Sequence, residues 1–205
     1  NKTIIYNYKF IFFMRVLNYG KQYIDNKDYQ SVKSALSNEY LTTGPVVKKF
    51  EDNLKKKLKC RYAVTSSSGT AALHLAFKAA DIKKNDIIIL PIINFISSAN
   101  ILFEMRAKVY FADVDSNTGQ MTPKTLTDCI KKNKIKKVKA FITMYLGGDC
   151  KNNILFYNIK KKLKCFMIED ACHALGAKYK FLNNNYSIGS CKHADLSTFS
   201  LHPVK

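Results

Sequence analysis

Asp86-Ile87-Ile88-Ile89-Leu90-Pro91 decides the fold. An apolar, largely β-branched run sits between an aspartate and a proline. It is too short for a helix and has no polar face, so it reads as a buried strand. Ser97–Met105 follows with helical character, and Lys108–Ala112 then reads as a second strand that ends at Asp113. A strand, a helix and another strand in so few residues is the unit from which parallel sheets are built.

Working outward, the alternation continues in both directions. Toward the N-terminus, Tyr62–Thr65 reads as a strand, Ser66-Ser67-Ser68-Gly69-Thr70 as a small-residue turn and Ala71–Ala80 as a helix. Before them, Pro45 suits the first position of a helix whose Val46, Val47, Phe50, Leu54 and Leu58 should lay one stripe on a core. Asp25 is a candidate cap for Asp25–Leu36, with Tyr29, Val32, Ala35 and Leu36 on one face. Toward the C-terminus come Pro123–Lys131 (helix), Val138–Met144 (strand), Ile154–Leu163 (helix), Cys165–Ile168 (strand, ending at Glu169-Asp170), an Asn-rich hairpin over Lys178–Tyr186, and a last strand, Leu196–Ser200. The expected class is α/β: a mostly parallel sheet with helices on both faces.

The 205 residues suffice for one large domain. Lys and Arg number 34 against 15 Asp and Glu, a formal net charge of +19. A nucleic-acid or anionic-membrane surface is one reading of that excess. Lysine bias is the other, and the scattering of lysines over solvated helix ends, with dense runs at Lys131–Lys139 and Lys160–Lys164, favours it. The six cysteines form no Cys-x-x-Cys pair, so neither a zinc site nor a disulfide framework is expected. The apolar run Phe10–Phe13 is too short to span a bilayer. Residues 1–13 read as an upstream extension outside the fold, which begins near Met14.

In an open parallel sheet, ligands gather at the C-terminal ends of strands. Thr65–Thr70, Pro91–Phe95, Asp113–Asp115, Asp170 and Lys205 all fall there. The Ser68-Gly69-Thr70 turn is either a phosphate cradle, with free N–H groups at a helix start, or an ordinary capped turn. Phe95 is either a platform for an aromatic ligand or a core residue. Asp170 closes an apolar strand, where a carboxylate needs a partner: a cationic ligand, a salt bridge or a cap. Lys205 ends the stretch Phe199-Ser200-Leu201-His202-Pro203-Val204-Lys205 and suits Schiff-base chemistry, which needs a positioned, partly desolvated amine. His173 and His202 are candidate bases or packed residues. No Gly-x-Ser-x-Gly or His-Glu-x-x-His supports a hydrolase.

Taken in order, Leu41-Thr42-Thr43-Gly44-Pro45, Ser68-Gly69-Thr70-Ala71-Ala72-Leu73, Asn94-Phe95-Ile96-Ser97-Ser98-Ala99-Asn100, Asp113-Val114-Asp115, Ile168–Ala177 and Phe199–Lys205 resemble the DegT/DnrJ/EryC1/StrS sugar aminotransferases from about Asn18 onward. Asn18-Tyr19, Asp170–Ala177 and Ala194–Ser197 look most like the branch serving pseudaminic acid biosynthesis. The resemblance implies the fold type I architecture of enzymes using pyridoxal 5'-phosphate (PLP), with residues 14–205 as the N-terminal part of the large, PLP-binding domain and a smaller C-terminal domain absent. It implies Lys205 and Asp170 as catalytic residues: the lysine holding PLP as a Schiff base, the aspartate pairing with the pyridine nitrogen. Ser68, Gly69, Thr70 and Ser200 would lie at the phosphate or cofactor edge, Phe95 on the ring, and His173 beside the cofactor where many relatives have Gln. Tyr19, Leu41, Thr42, Thr43 and Gly44 would meet the nucleotide-sugar. The implied reaction passes an amino group from L-glutamate to a 4-keto, UDP-linked 6-deoxyhexose, in a cytoplasmic homodimer with no metal, nucleic acid or membrane partner. Leu201 departs from the usual Phe, and Met144–Gly148 differs from the commoner family sequence. The alternative from another class is a non-catalytic basic binding or regulatory protein on the same scaffold.

Overall fold

The computed structural model describes residues 22–42, 44–203 and 205. The expected extension 1–13, and Tyr19 and Thr43 among the expected substrate residues, lie outside them. In chain order the elements are α1 (Asn26–Leu36), α2 (Pro45–Leu58), α3 (Gly69–Ala79), β1 (Ile87–Pro91), α4 (Ser97–Glu104), β2 (Lys108–Ala112), α5 (Pro123–Lys132), β3 (Ala140–Met144), α6 (Asn153–Leu163), β4 (Phe166–Asp170), β5 (Lys178–Phe181), β6 (Asn184–Ser187) and β7 (Leu196–Thr198).

Five strands form one parallel sheet in the order β2-β1-β3-β4-β7, and β5 and β6 pair as an antiparallel hairpin. Side chains alternate across the sheet, which explains why its strands read as unbroken apolar runs. Ile88, Leu90, Ala140, Ile142 and Ile168 pack with Leu73, Phe77, Ile101 and Leu102 of α3 and α4. Ile89, Phe141 and Met167 face the other way, onto Leu126 of α5 and Phe156 of α6. Each such fully buried side chain contributes about 1.5–3 kcal/mol relative to exposure. A third cluster, including Tyr145, Ala174, Tyr179 and Ile188, lies under the hairpin.

The helix ends follow local chemistry. Asp25 caps α1 in a capping box with Asp28, Pro45 opens α2, and Thr122 caps α5 through Thr125, with Pro123 at the first position. Lys160 pairs with Asp195 at 2.7 Å, and the same carboxylate accepts from Met167 N at 2.8 Å, fixing the start of β7 against β4.

Two expectations fail. Tyr62–Thr65 is not a strand: it runs without ladder partners, and Tyr62 and Val64 are exposed. Thr65 is held instead by Glu51 of α2, whose Oε1 accepts from its N–H and hydroxyl at 2.8 and 2.9 Å. The α2 stripe does not close onto a core either. Leu58 is buried, but Val46, Val47 and Phe50 stay exposed. Phe50 and Leu54 line one side of an open cavity of about 500 Å³, and the unpaired edge of β7 lines the other.

Candidate functional site

The C-terminal ends of the parallel strands converge on one end of the sheet, where the chemistry-bearing residues collect. After β7 the chain turns through Ser200 to Lys205, whose N–H bonds to His202 O at 2.9 Å. The Lys205 amine lies 2.9 Å from His173 Nε2 and 5.9 Å from the ring centre of Phe95, which follows β1. Phe95 is 58% exposed, so its ring is a surface on offer rather than core. The core alternative for that residue falls away.

Asp170 ends β4 and is buried. Its Oδ1 accepts from Cys172 N at 3.2 Å, and no lysine, arginine or histidine among the described residues pairs with it. A buried carboxylate without a cation is costly. The neighbouring Cys172 thiol registers it, pushed up to about 12 by burial and by Asp170.

The α3 start closes the other side. Ser68 caps the helix, its Oγ accepting from Ala71 N at 3.1 Å. The first intrahelical bond runs from Ala72 N to Ser68 O, so the N–H groups of Gly69 and Thr70 precede the ladder and point outward. A Cβ on Gly69 would come 3.3 Å from Ser200 Cβ and 3.5 Å from Cys172 Sγ, so this helix start, the β7 turn and the β4 turn share one small space. Glu51 steers the segment entering it, and the two bonds from Thr65 hold the Glu51 carboxyl below its ordinary value.

His173 is half-buried, and burial together with Lys205 holds its imidazole below the usual value. Its Nδ1 accepts from Gly147 N at 3.4 Å, in the turn after β3. Lys205, His173 and Phe95 are thus brought together, as are Gly69, Ser200 and Cys172, with Asp170 joined through Cys172. Leu41 and Thr42 are exposed and Gly44 caps α2; none of the three makes a hydrogen bond or ring contact with this cluster.

One group went unread in the sequence. Glu169 faces away from Asp170 into the protein, where it is 2% exposed. Its Oε1 accepts from Tyr145 Oη at 3.0 Å and Asn153 Nδ2 at 2.7 Å, and its Oε2 from Ser197 Oγ and, at 3.4 Å, from Gly189 N. Burial pushes this carboxyl above its ordinary value against the pull of those bonds. Strand alternation was the available signal: of two consecutive carboxylates, one must face each side.

An amine, an exposed aromatic ring, a buried carboxyl without an ion pair among the described residues and free N–H donors at a helix start suit a ligand with a carbonyl, a flat ring nitrogen and a phosphate. No group of three or more His, Cys, Asp or Glu among the described residues is arranged to hold a metal ion. No helix among the described residues is long and apolar enough to cross a membrane.

Residues 22–205 match the DegT/DnrJ/EryC1/StrS aminotransferase family. The chain is 36% identical over 190 residues to the UDP-4-amino-4,6-dideoxy-N-acetyl-beta-L-altrosamine transaminase of Campylobacter jejuni, covering 93% of this chain and 48% of the relative. It therefore spans about half the length of the curated relatives it matches. Among solved structures, the Helicobacter pylori aminotransferase PseC, involved in pseudaminic acid biosynthesis, aligns with a TM-score of 0.78 at 26% identity, over 92% of this chain and 48% of that one. The putative sugar aminotransferase Spr1654 of Streptococcus pneumoniae, solved in apo, PLP and PMP forms, aligns in its apo form at 0.81 and 24% identity, over 92% of this chain and 49% of that one, and shares the fold.

Proposed function

Because the chain belongs to the DegT/DnrJ/EryC1/StrS aminotransferase family, we propose that the protein carrying it is a PLP-dependent aminotransferase. Its reaction moves an amino group from L-glutamate to a 4-keto carbon of a UDP-linked 6-deoxyhexose, as part of cell-surface amino-sugar synthesis of the pseudaminic acid type. The observation that carries the reading is the buried Asp170 carboxylate, which makes no ion pair among the described residues and stands at the same end of the sheet as the Lys205 amine.

Bound there, PLP supplies a carbonyl for the lysine and an electron sink for carbanion chemistry. Lys205 would be the covalent attachment point and would carry a proton at its amine. Asp170, buried at the end of β4, would pair with the pyridine nitrogen. Phe95 covers one ring face. The N–H groups of Gly69 and Thr70, with the hydroxyls of Ser68, Thr70 and Ser200, bind the phosphate. Tyr19 and residues 41–44 contribute to the nucleotide-sugar side. The protein acts as a cytoplasmic homodimer, which supplies partners for the exposed stripe Tyr29, Val32 and Leu36 of α1. The named activity of the Campylobacter relative supports the choice of a UDP-sugar.

The test is spectroscopic first. PLP added to the intact protein should give a visible Schiff-base band that borohydride fixes onto Lys205, and Lys205→Arg should abolish it. Incubation with glutamate and 4-keto UDP-sugars then reads the transfer. A colourless protein that does not retain PLP would end the reading.

A further inference from the structure

Glu169 and Asp170 end β4 as neighbours, and strand alternation sends their carboxyls to opposite faces of the sheet. Asp170 belongs to the proposed cofactor site. Glu169 takes no part in the proposed reaction, yet its carboxyl is buried and meets donors from four places. An apolar side chain would fill the same space at less cost, so the carboxyl is there for its bonds. Oε1 belongs to a closed triangle: Tyr145 Oη lies 3.0 Å from it, Asn153 Nδ2 lies 2.7 Å from it, and the two partners are 2.6 Å apart. Both partners are buried, one just after β3 and one at the start of α6, so the triangle fixes the carboxyl in place. Oε2 is the arm that reaches out, to Gly189 N and to Ser197 Oγ in the middle of β7.

Ser197 is the partner that bears on the site. β7 has three residues, and β4 is the only strand paired with it among the described residues. Its other edge lines the open cavity. The ladder sets Ser197 opposite Glu169 and Thr198 opposite Asp170, and the chain then runs through Ser200 to Lys205. Asp195 anchors the approach to β7, through Lys160 and Met167 N. Within β7, the side-chain bonds to β4 among the described residues are Ser197 Oγ to the Glu169 carboxyl and Thr198 Oγ1 to Glu169 O, the latter at 3.3 Å. Both run to one residue. The strand that leads to Lys205 is therefore tied at its start by Asp195 and along its length by Glu169.

We infer that Glu169 is a positioning residue: by holding Ser197 it fixes β7 against β4, and so sets where the Lys205 amine stands relative to Asp170. This rests on the proposed function, which gives that amine and Asp170 one ligand in common. The two carboxyls then divide the work at the end of β4. Asp170 meets the ligand, and Glu169, on the opposite face, holds the strand that brings the amine to it. Placement matters steeply, since an error of about 1 Å far from the chemistry can slow a reaction about a hundredfold. Losing one hydroxyl loosens β7 rather than displacing it, so the expected loss is smaller, about tenfold.

The test uses the intact protein and two variants that each remove one hydroxyl from the same carboxyl. Ser197→Ala cuts the arm to β7, and Tyr145→Phe cuts the triangle while leaving that arm. Tyr145 is the more deeply buried of the two, so a carboxyl with a merely structural role predicts at least equal damage from Tyr145→Phe. In the first arm, without PLP, backbone hydrogen exchange is followed. Ser197→Ala should speed exchange at Leu196–Thr198 about tenfold relative to β2, at the far edge of the sheet, and Tyr145→Phe should change that ratio by less than about threefold. In the second, the limiting rate at which the visible band forms is read at saturating PLP. Ser197→Ala should lower it about tenfold and Tyr145→Phe by less than about threefold. Half-saturating PLP should stay within about threefold in both, because the Gly69 and Thr70 N–H groups lie off β7. No change at β7 relative to β2, a parent limiting rate in Ser197→Ala, or equal slowing by both variants would overturn the inference. If Tyr145→Phe does not fold, Ser197→Ala against the parent decides. A parent protein that never colours instead refutes the aminotransferase reading, and the exchange arm, which needs no cofactor, still decides whether Glu169 holds β7.

Discussion

Glu169 offers the sharpest test of the physical reasoning, because two opposing effects act on it. The carboxyl is buried with no cation beside it, and four donors are aimed at it, from Tyr145, Asn153, Ser197 and Gly189. Burial outweighs the bonds, and the carboxyl is raised above its ordinary value near 4.5. Burial also drives Tyr145 well above the usual tyrosine value, so its hydroxyl stays a donor.

Glutamine is nearly isosteric with a neutral glutamic acid, so Glu169→Gln should cost least, less than about 1 kcal/mol, at the acid end of the pH range. Glu169→Ala strips the acceptors from four donors, three of them buried, and leaves a cavity, and should cost about 3–5 kcal/mol. The pH dependence has a fixed sign. A carboxyl raised in the folded state stabilises the fold fully below its unfolded value, and that stabilisation is lost as pH rises toward and through the raised one. Parent stability should therefore fall, relative to the glutamine variant, as pH rises above about 5, by up to about 1.4 kcal/mol per pH unit. Urea unfolding of the intact protein and both variants at pH 5, 7 and 9 measures this. A difference between parent and glutamine variant that does not change with pH would show that burial does not win.

Three other outcomes follow from the geometry. Gly189 has φ of +84°, and a Cβ there would come 2.5 Å from Phe199 Cζ; Gly189→Ala should cost about 2–4 kcal/mol in thermal unfolding and loosen the turn leading to Lys205. Ser68→Ala removes the α3 cap on Ala71 N and should cost about 1 kcal/mol, with weaker PLP retention measured by dialysis. Asp170→Asn should leave Schiff-base formation possible but lower amino transfer by roughly a hundredfold or more, since a buried charge pair is worth about 3–5 kcal/mol when one partner is removed; transfer at the parent rate would take Asp170 out of the chemistry.

The strands buried on both faces were legible because their reading needs no distant partner. Lys108–Ala112 is bounded as expected, and Ile87–Pro91 differs from Asp86–Leu90 by one residue at each end. Tyr62–Thr65 has the same composition yet forms no strand, because β propensity is a fit to a neighbouring strand rather than a property of the residues. Its potential neighbours lie across the open cavity, and Glu51 takes the Thr65 N–H. The site divides along the same line. Asp170, Phe95 and the Ser68–Thr70 turn could be placed at strand and helix ends from local pattern. Pairing His173 with Lys205 could not, since 32 residues separate them and only the parallel order of β4 and β7 makes their turns neighbours. Glu169 was hidden by a different fact: its position was readable, but its partners come from β7, α6 and the turns after β3 and β6, and no local pattern gathers those. What the sequence conceals here is therefore not the chemistry-bearing residues but the second nitrogen, hydroxyl or amide that each one meets, as the contact of His173 with Gly147 illustrates.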